Sequence, residues 1–203
     1  MIKNIIFDIG SVILNFDYKK IINEFTEDIE EQKFIMDYIV NSPEWMGYGL
    51  IDTGFVTREE VIKLIQDRTN HEKDSLIENF WNTYINYAFI DENVVRLIEE
   101  LKDKEYKIYL LSNINDYTVD KIKGSKLFDI VDGYILSYVE HQIKPYKAIY
   151  KTLLDRYGLK ADECAFLDDN ENNIKTANEL GILGKKVEPN SYKSILKAVN
   201  EII

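Results

Sequence analysis

Cysteine is almost absent. Cys164 is the only one in 203 residues, so no intrachain disulfide can form. Its neighbours Ala165, Phe166 and Leu167 are apolar and no histidine or cation adjoins it, so it reads as a small buried strand residue and not as a reactive thiol. Positive charge is also in deficit: 25 Lys and Arg stand against 36 Asp and Glu, a net charge of −11. Such a surface repels a phosphate backbone, which disfavours nucleic acid as a partner. A small phosphorylated molecule can still bind where local cations or a metal reverse the field. No apolar run approaches membrane-spanning length, and no basic segment followed by an apolar stretch opens the chain. No membrane partner is expected, and the expected location is cytoplasmic and reducing. Internal repeats and low-complexity tracts are lacking as well.

What is present is 45% hydrophobic and 30% charged, long enough for one sizeable core or a core with a small inserted module. The organising stretch is Asn4-Ile5-Ile6-Phe7-Asp8-Ile9-Gly10-Ser11-Val12. Its short continuous apolar run reads as a buried strand, and Asp8 closes it. A carboxylate there stands at the carboxyl edge of a sheet, where open α/β sheets bind ligands.

From Tyr18 to Ala88 the spacing is helical. Ile21, Ile22 and Phe25 begin it, and Phe34, Ile35, Tyr38 and Ile39 continue it. Ser42-Pro43-Glu44 predicts a helix start capped by Ser42. Thr57 and Glu60 form a capping box ahead of Val61, Leu64 and Ile65. Leu76, Ile77, Phe80, Trp81, Tyr84 and Ile85 predict a further helix. After Asp91 strands and helices alternate, with strands over 107–111, 134–136, 163–167 and 183–187. This predicts an α/β protein with a Rossmann-like parallel sheet covered on both faces. Residues 1–14 and 89–203 would form the core, and residues 15–88 an inserted helical cap domain.

Four strand ends converge on one crevice. Asp8 ends the first strand, Ser112 the second, Lys144 follows a short strand, and Asp168-Asp169 end a later one. Taken singly, each is an ordinary cap, turn or solvated residue. Together they suggest phosphoryl transfer. Asp8 can attack phosphorus. Asp8, Asp169 and the Gly10 carbonyl offer hard oxygens to Mg²⁺. Lys144 adds a point charge, Ser112 a hydroxyl donor, and the amides of Asn113 and Ile114 open a helix that favours an anion.

At these positions the chain resembles the haloacid dehalogenase superfamily, in its branch with a helical cap after the first motif and close to the bacterial sugar-phosphate phosphatases. The matching stretches are Phe7–Val12, Leu111-Ser112-Asn113, Lys144-Pro145 with Ile149-Tyr150, and Phe166-Leu167-Asp168-Asp169 through Asn172-Asn173-Ile174 with Ala177 and Gly181. Trp45, Gly54 and Glu59-Glu60 fit the cap. The resemblance implies strand order 5-4-1-2-3, Mg²⁺ dependence and an aspartyl-phosphate on Asp8. It also implies that Lys144 steadies the nucleophile and that Asp169 binds the metal. Asp168 completes the expected metal set behind it or through water. The expected substrate is a small phosphorylated metabolite, a sugar phosphate above all.

Departures from the pattern matter. Most such phosphatases carry a second Asp two residues after the nucleophile as general acid and base; here it is Gly10. Asp17 and His141 are candidate substitutes. Tyr146 follows Lys144-Pro145 where an acidic residue is usual. His141 replaces a frequent Gly and reads as an exposed loop residue, and His71 reads as solvent-facing. The alternatives are a metal-independent 2-haloacid dehalogenase of the same fold, a phosphate-binding sensor of weak activity, and a receiver domain. The receiver reading is disfavoured because its acidic pair lies on the first strand. Trp45, Tyr48 and Asp52 are candidate specificity residues, with Trp45 better read as cap core. Composition and spacing leave the oligomeric state open.

Overall fold

The computed structural model describes residues 1–45 and 49–203. Its strands are β1 (Asn4–Phe7), β2 (Leu14–Asn15), β3 (Phe89–Ile90), β4 (Lys107–Ser112), β5 (Gly133–Leu136), β6 (Cys164–Asp168) and β7 (Leu183–Lys186). Five of them form a parallel sheet in the order β5-β4-β1-β6-β7. Numbered among themselves these are strands 5-4-1-2-3 read from the other edge, as expected. β1 lies at the centre, with Ile5 opposite Ile108 on one side and Ala165 on the other.

That central place explains why the run in β1 is unbroken. Ile5 and Phe7 enter one apolar cluster and Ile6 the other, all fully buried. The first cluster takes Val94, Leu97 and Ile98 from the helix Glu92–Asp103 and Ile195 and Val199 from Tyr192–Asn200. The second takes Ile149, Tyr150 and Leu153 from Lys147–Tyr157 and Ile174 and Ala177 from Glu171–Glu179. Each such side chain removed from water contributes about 1.5–3 kcal/mol before entropy is counted.

β2 and β3 pair antiparallel, Leu14 with Ile90 and Asn15 with Phe89, where the chain leaves the sheet and returns. Between them lie the helices Tyr18–Phe25, Ile29–Ile35, Arg58–Arg68 and Asp74–Thr83, with a π-helical turn at Met36–Val40. Asp17, Asp28 and the Thr57–Glu60 capping box start three of them. They enclose Trp45, whose ring centroid is 5.9 Å from Phe80, 5.1 Å from Trp81 and 5.3 Å from Tyr84.

The helix predicted from Ser42-Pro43-Glu44 does not form among the described residues. The segment is a run of turns, with Trp45 N–H bonded to the Ser42 carbonyl and Leu50 N–H to that of Pro43. Ser42 Oγ is buried with no hydrogen-bond partner among the described residues, so it caps nothing. A long-range pairing overrides the local signal. Glu44 is buried, and its carboxylate takes both Arg68 Nη1 bonds at 3.0 and 2.7 Å, while Arg68 Nη2 donates to the Tyr38 carbonyl at 2.7 Å.

Candidate active site

Asp8, Asn113, Lys144 and Asp169 line one cavity of about 770 Å³ at the carboxyl edge of the sheet, together with Gly10. Lys144 lies at its floor and is 1% exposed. An ammonium has three donors, and here they have three acceptors: Asp8 Oδ1 at 2.7 Å, Asp168 Oδ2 at 2.8 Å and the Leu111 carbonyl at 3.0 Å. Burial alone would lower the Lys144 pKa. Asp168 and Asp8 outweigh it, and the pKa is raised.

Asn113 supports this lysine directly. Its Oδ1 accepts the Lys144 N–H at 2.7 Å and its Nδ2 donates to the Lys144 carbonyl at 3.0 Å. Ile114 N–H is committed to Ser137 Oγ at 2.9 Å, and the helix opens only at Asp116, capped by Asn115. The expected helix opening at Asn113 and Ile114 is therefore displaced by two residues. Ser112 is fully buried at the end of β4, its hydroxyl 3.4 Å from the Asn113 carbonyl, and is not part of the cavity wall.

Asp168 is fully buried and its oxygens are filled. Besides Lys144 they accept Asn170 N–H at 2.7 Å and Asn173 Nδ2 at 3.0 and 2.9 Å. One oxygen each of Asp8, Asp168 and Asp169 lies within 4.8 Å of the others. Three carboxylates gather around one lysine that pairs with two of them, Asp8 and Asp168, an excess of negative charge that favours a hard cation. With Asp168 satisfied, Asp8 and Asp169 are the carboxylates with capacity for it. Burial, then Asp168 and Asp169, push Asp8 up to about 7 against the pull of Lys144. Burial and Asp168 also raise Asp169.

Gly10 has open space where a side chain would stand, with no atom within 4 Å of an added Cβ. Of the two candidate proton donors, Asp17 lines the cavity. Its Oδ1 caps the helix Tyr18–Phe25, accepting from Lys19 and Lys20 N–H at 3.1 and 3.2 Å. His141 is not in the cavity wall; it bonds the Thr53 carbonyl at 2.9 Å and stacks on Phe55 at 4.7 Å. Trp45 reaches the wall while lying in the aromatic cluster. Asp52 is fully buried and outside the wall, its Oδ1 accepting Asn115 Nδ2 at 3.2 Å and its carbonyl accepting Ser137 Oγ–H at 2.6 Å. Tyr48 lies outside the described residues. Burial pushes the Cys164 thiol up to about 11, in keeping with a strand residue.

Ser137, which takes the Ile114 N–H, and Asn173, which holds Asp168, are assigned no role by sequence, although Asn173 falls inside the fourth matching stretch. Only Asn173 carried a signal, five residues beyond Asp168 on the following helix.

Residues 2–181 match the family of haloacid dehalogenase-like hydrolases. A D-ribitol-5-phosphate phosphatase of Bacteroides thetaiotaomicron is 27% identical over 196 residues, covering 89% of each chain. A HAD family enzyme of the same organism, solved in complex with magnesium and inorganic phosphate, has a TM-score of 0.75 at 27% identity, over 97% of this chain and 99% of that one. The L-2-haloacid dehalogenase of Xanthobacter autotrophicus, with a TM-score of 0.67 at 18% identity over 99% of this chain and 83% of that one, shares the fold alone. Among the described residues no helix is long and apolar enough to cross a membrane. With the strand order, the meeting of Asp8, Asn113, Lys144 and Asp169 on one cavity and a family match over residues 2–181, the chain belongs to the haloacid dehalogenase-like hydrolases.

Proposed function

We propose that the protein is a Mg²⁺-dependent phosphomonoesterase acting on a small phosphorylated metabolite, a sugar or polyol phosphate, through an aspartyl-phosphate on Asp8. The observation that carries this reading is the buried Lys144 ammonium, 2.7 Å from Asp8 and 2.8 Å from Asp168, beneath a cavity that also holds Asp169. The similarity to a ribitol-phosphate phosphatase supports the substrate class.

In this reading Asp8 Oδ1 holds the hydrogen bonds from Lys144 Nζ and Ile9 N–H, both at 2.7 Å, which leaves Oδ2 to attack phosphorus. As the Oδ2–P bond forms, the ester P–O bond breaks, and the departing alkoxide takes a proton from solvent water. Water then attacks the phosphorus of the acyl-phosphate, releasing phosphate and restoring the carboxylate. Asp8, Asp169 and the Gly10 carbonyl would hold Mg²⁺, which when bound would supply positive charge to offset carboxylate–phosphate repulsion. Lys144 adds a fixed cation without reorganisation, because Asp168, Asn113 and Leu111 hold it in place. Residues 15–88 act as the cap, bringing Phe16, Asp17, Tyr18, Lys19, Asn41 and Trp45 to the wall that receives the leaving group.

The carboxylate excess weighs against a metal-free dehalogenase, which attacks a neutral carbon–halogen bond. The test is a panel of phosphate esters assayed with Mg²⁺, with EDTA, and with Asp8→Asn. Hydrolysis that needs Mg²⁺ and is lost in Asp8→Asn is expected. Turnover surviving Asp8→Asn refutes the mechanism, and EDTA-insensitive halide release refutes the reaction class. A stable phosphoryl group on Asp8 without turnover would support the sensor alternative.

A further inference from the structure

The linker from β1 to the helical insert is fastened from the far end of the chain. Asn190 lies in the loop between β7 and the helix Tyr192–Asn200. Its backbone N–H donates to the Ser11 carbonyl at 2.6 Å. Its side-chain Oδ1 accepts Phe16 N–H at 2.9 Å, and its Nδ2 donates to the Phe16 carbonyl at 3.4 Å. One amide thus engages both backbone groups of Phe16, as a neighbouring strand would. Asn190 has φ 55, a left-handed conformation that Asn and Gly adopt more readily than other residues.

Phe16 is the first residue beyond the β2–β3 ribbon. The ribbon holds Leu14 and Asn15 by pairing with Ile90 and Phe89. Beyond it the Phe16 carbonyl also accepts the Ser11 hydroxyl at 3.3 Å, but among the described residues the Phe16 N–H is met by Asn190 alone. The Phe16 ring packs on Trp45 at 6.5 Å and on Tyr84 at 6.1 Å, and Phe16, Asp17, Tyr18, Lys19 and Trp45 share the cavity wall with Asn190.

We propose that Asn190 is a positioning residue for catalysis: by clamping Phe16 it sets where the leaving-group wall stands over Asp8. The kinetic half of this proposal rests on the phosphatase reading; the structural half does not. Two variants separate the side chain from the backbone. Asn190→Gly keeps the left-handed conformation and the N–H on Ser11 but loses both side-chain bonds. Asn190→Asp keeps an acceptor for Phe16 N–H, but turns an acceptor towards the Phe16 carbonyl and adds a negative charge to the cavity wall.

The experiment measures amide hydrogen exchange at Phe16 in the full chain, KM and kcat for a phosphate ester, and competitive inhibition by inorganic phosphate. In Asn190→Gly, Phe16 exchange is expected to accelerate, and KM to rise about fivefold or more, the loss of roughly one hydrogen bond. kcat should fall less than KM rises. Inhibition by inorganic phosphate should stay within about twofold, because phosphate reaches only the Asp8–Lys144 floor. Asn190→Asp should restore most of the exchange protection at Phe16, while its added charge in the cavity wall keeps KM from serving as the measure of rescue. Unchanged Phe16 exchange in Asn190→Gly overturns the proposal, and so does an equal loss of ester and phosphate binding, which marks general loosening. If the wild type hydrolyses no ester of the panel, the phosphatase reading fails, and the exchange of Phe16 alone decides the clamp.

Discussion

Replacing Lys144 by methionine tests the site where stability and function meet. The side chain is 1% exposed, and its three donors satisfy Asp8, Asp168 and the Leu111 carbonyl at 2.7, 2.8 and 3.0 Å. Methionine roughly fills the volume against Phe166 but leaves two buried carboxylates facing each other with no cation between them. Breaking a buried pair in this way costs about 3–5 kcal/mol. At about 2–4 °C per kcal/mol for a chain of this size, Tm should fall by roughly 10 °C or more. Turnover should be lost. Asp8, already raised to about 7, should titrate higher still, because Lys144 is the influence that lowers it. Adding Asp168→Asn removes one of the stranded charges. The double variant should therefore lose less stability than the sum of the singles, with a coupling of about 1–3 kcal/mol, and remain inactive. Urea unfolding of wild type, both singles and the double without metal closes the cycle. A loss below about 1 kcal/mol in Lys144→Met, or strict additivity, would refute the reading of Lys144 as the common partner of both carboxylates.

Gly10→Asp has room for its side chain, with nothing within 4 Å of the new Cβ, and should raise turnover on esters with poor leaving groups by about tenfold or more while barely changing p-nitrophenyl phosphate. Equal effects on both substrates would count against a missing general acid. In the proposed Mg²⁺ site protons would compete with the metal for Asp8 and Asp169, whose folded pKa values are both raised; the stability contributed by protonated Asp8 is full below the ordinary carboxylate pKa and is lost as pH rises through about 7. The Tm increment on adding Mg²⁺ should therefore be larger at pH 8 than at pH 5.5, read by calorimetry. Asp132 behaves oppositely: burial works to raise it, but Lys102, Ile108 N–H and Lys107 outweigh that and hold it below the usual carboxylate range. Its stabilisation is present above the ordinary carboxylate pKa and lost as pH falls through the lowered value, and Asp132→Ala should cost about 1–3 kcal/mol in urea unfolding at pH 7.

The chemical groups and the groups that hold them were unequally legible from sequence. Asp8, Asp168 and Asp169 stand at the ends of apolar runs, so strand periodicity alone puts them at one sheet edge, and the capping box at Thr57–Glu60 is a local signal that the fold keeps. Ser42-Pro43 carried an equally local signal and failed, because the Glu44–Arg68 pairing, 24 residues apart, decides the path of that segment. The Ile114 amide was misassigned for the same kind of reason, since its acceptor, Ser137, lies 23 residues away. Lys144 makes the point most sharply. Sequence singles it out as the cation ahead of Pro145, but only the convergence of β1, β4 and β6 buries it and gives each of its donors an acceptor. Asn190 carries no pattern at all, because its partners are the backbone atoms of residues 11 and 16. A residue that acts through its own chemistry must be of a given type at a strand end, and that constraint is visible in sequence. A residue that acts by holding main chain needs only an amide in the right place, and that place exists only once the chain has folded. Gly10 belongs to both classes. The space around it marks where a proton donor would act, and the linker that leaves it is the one Asn190 holds.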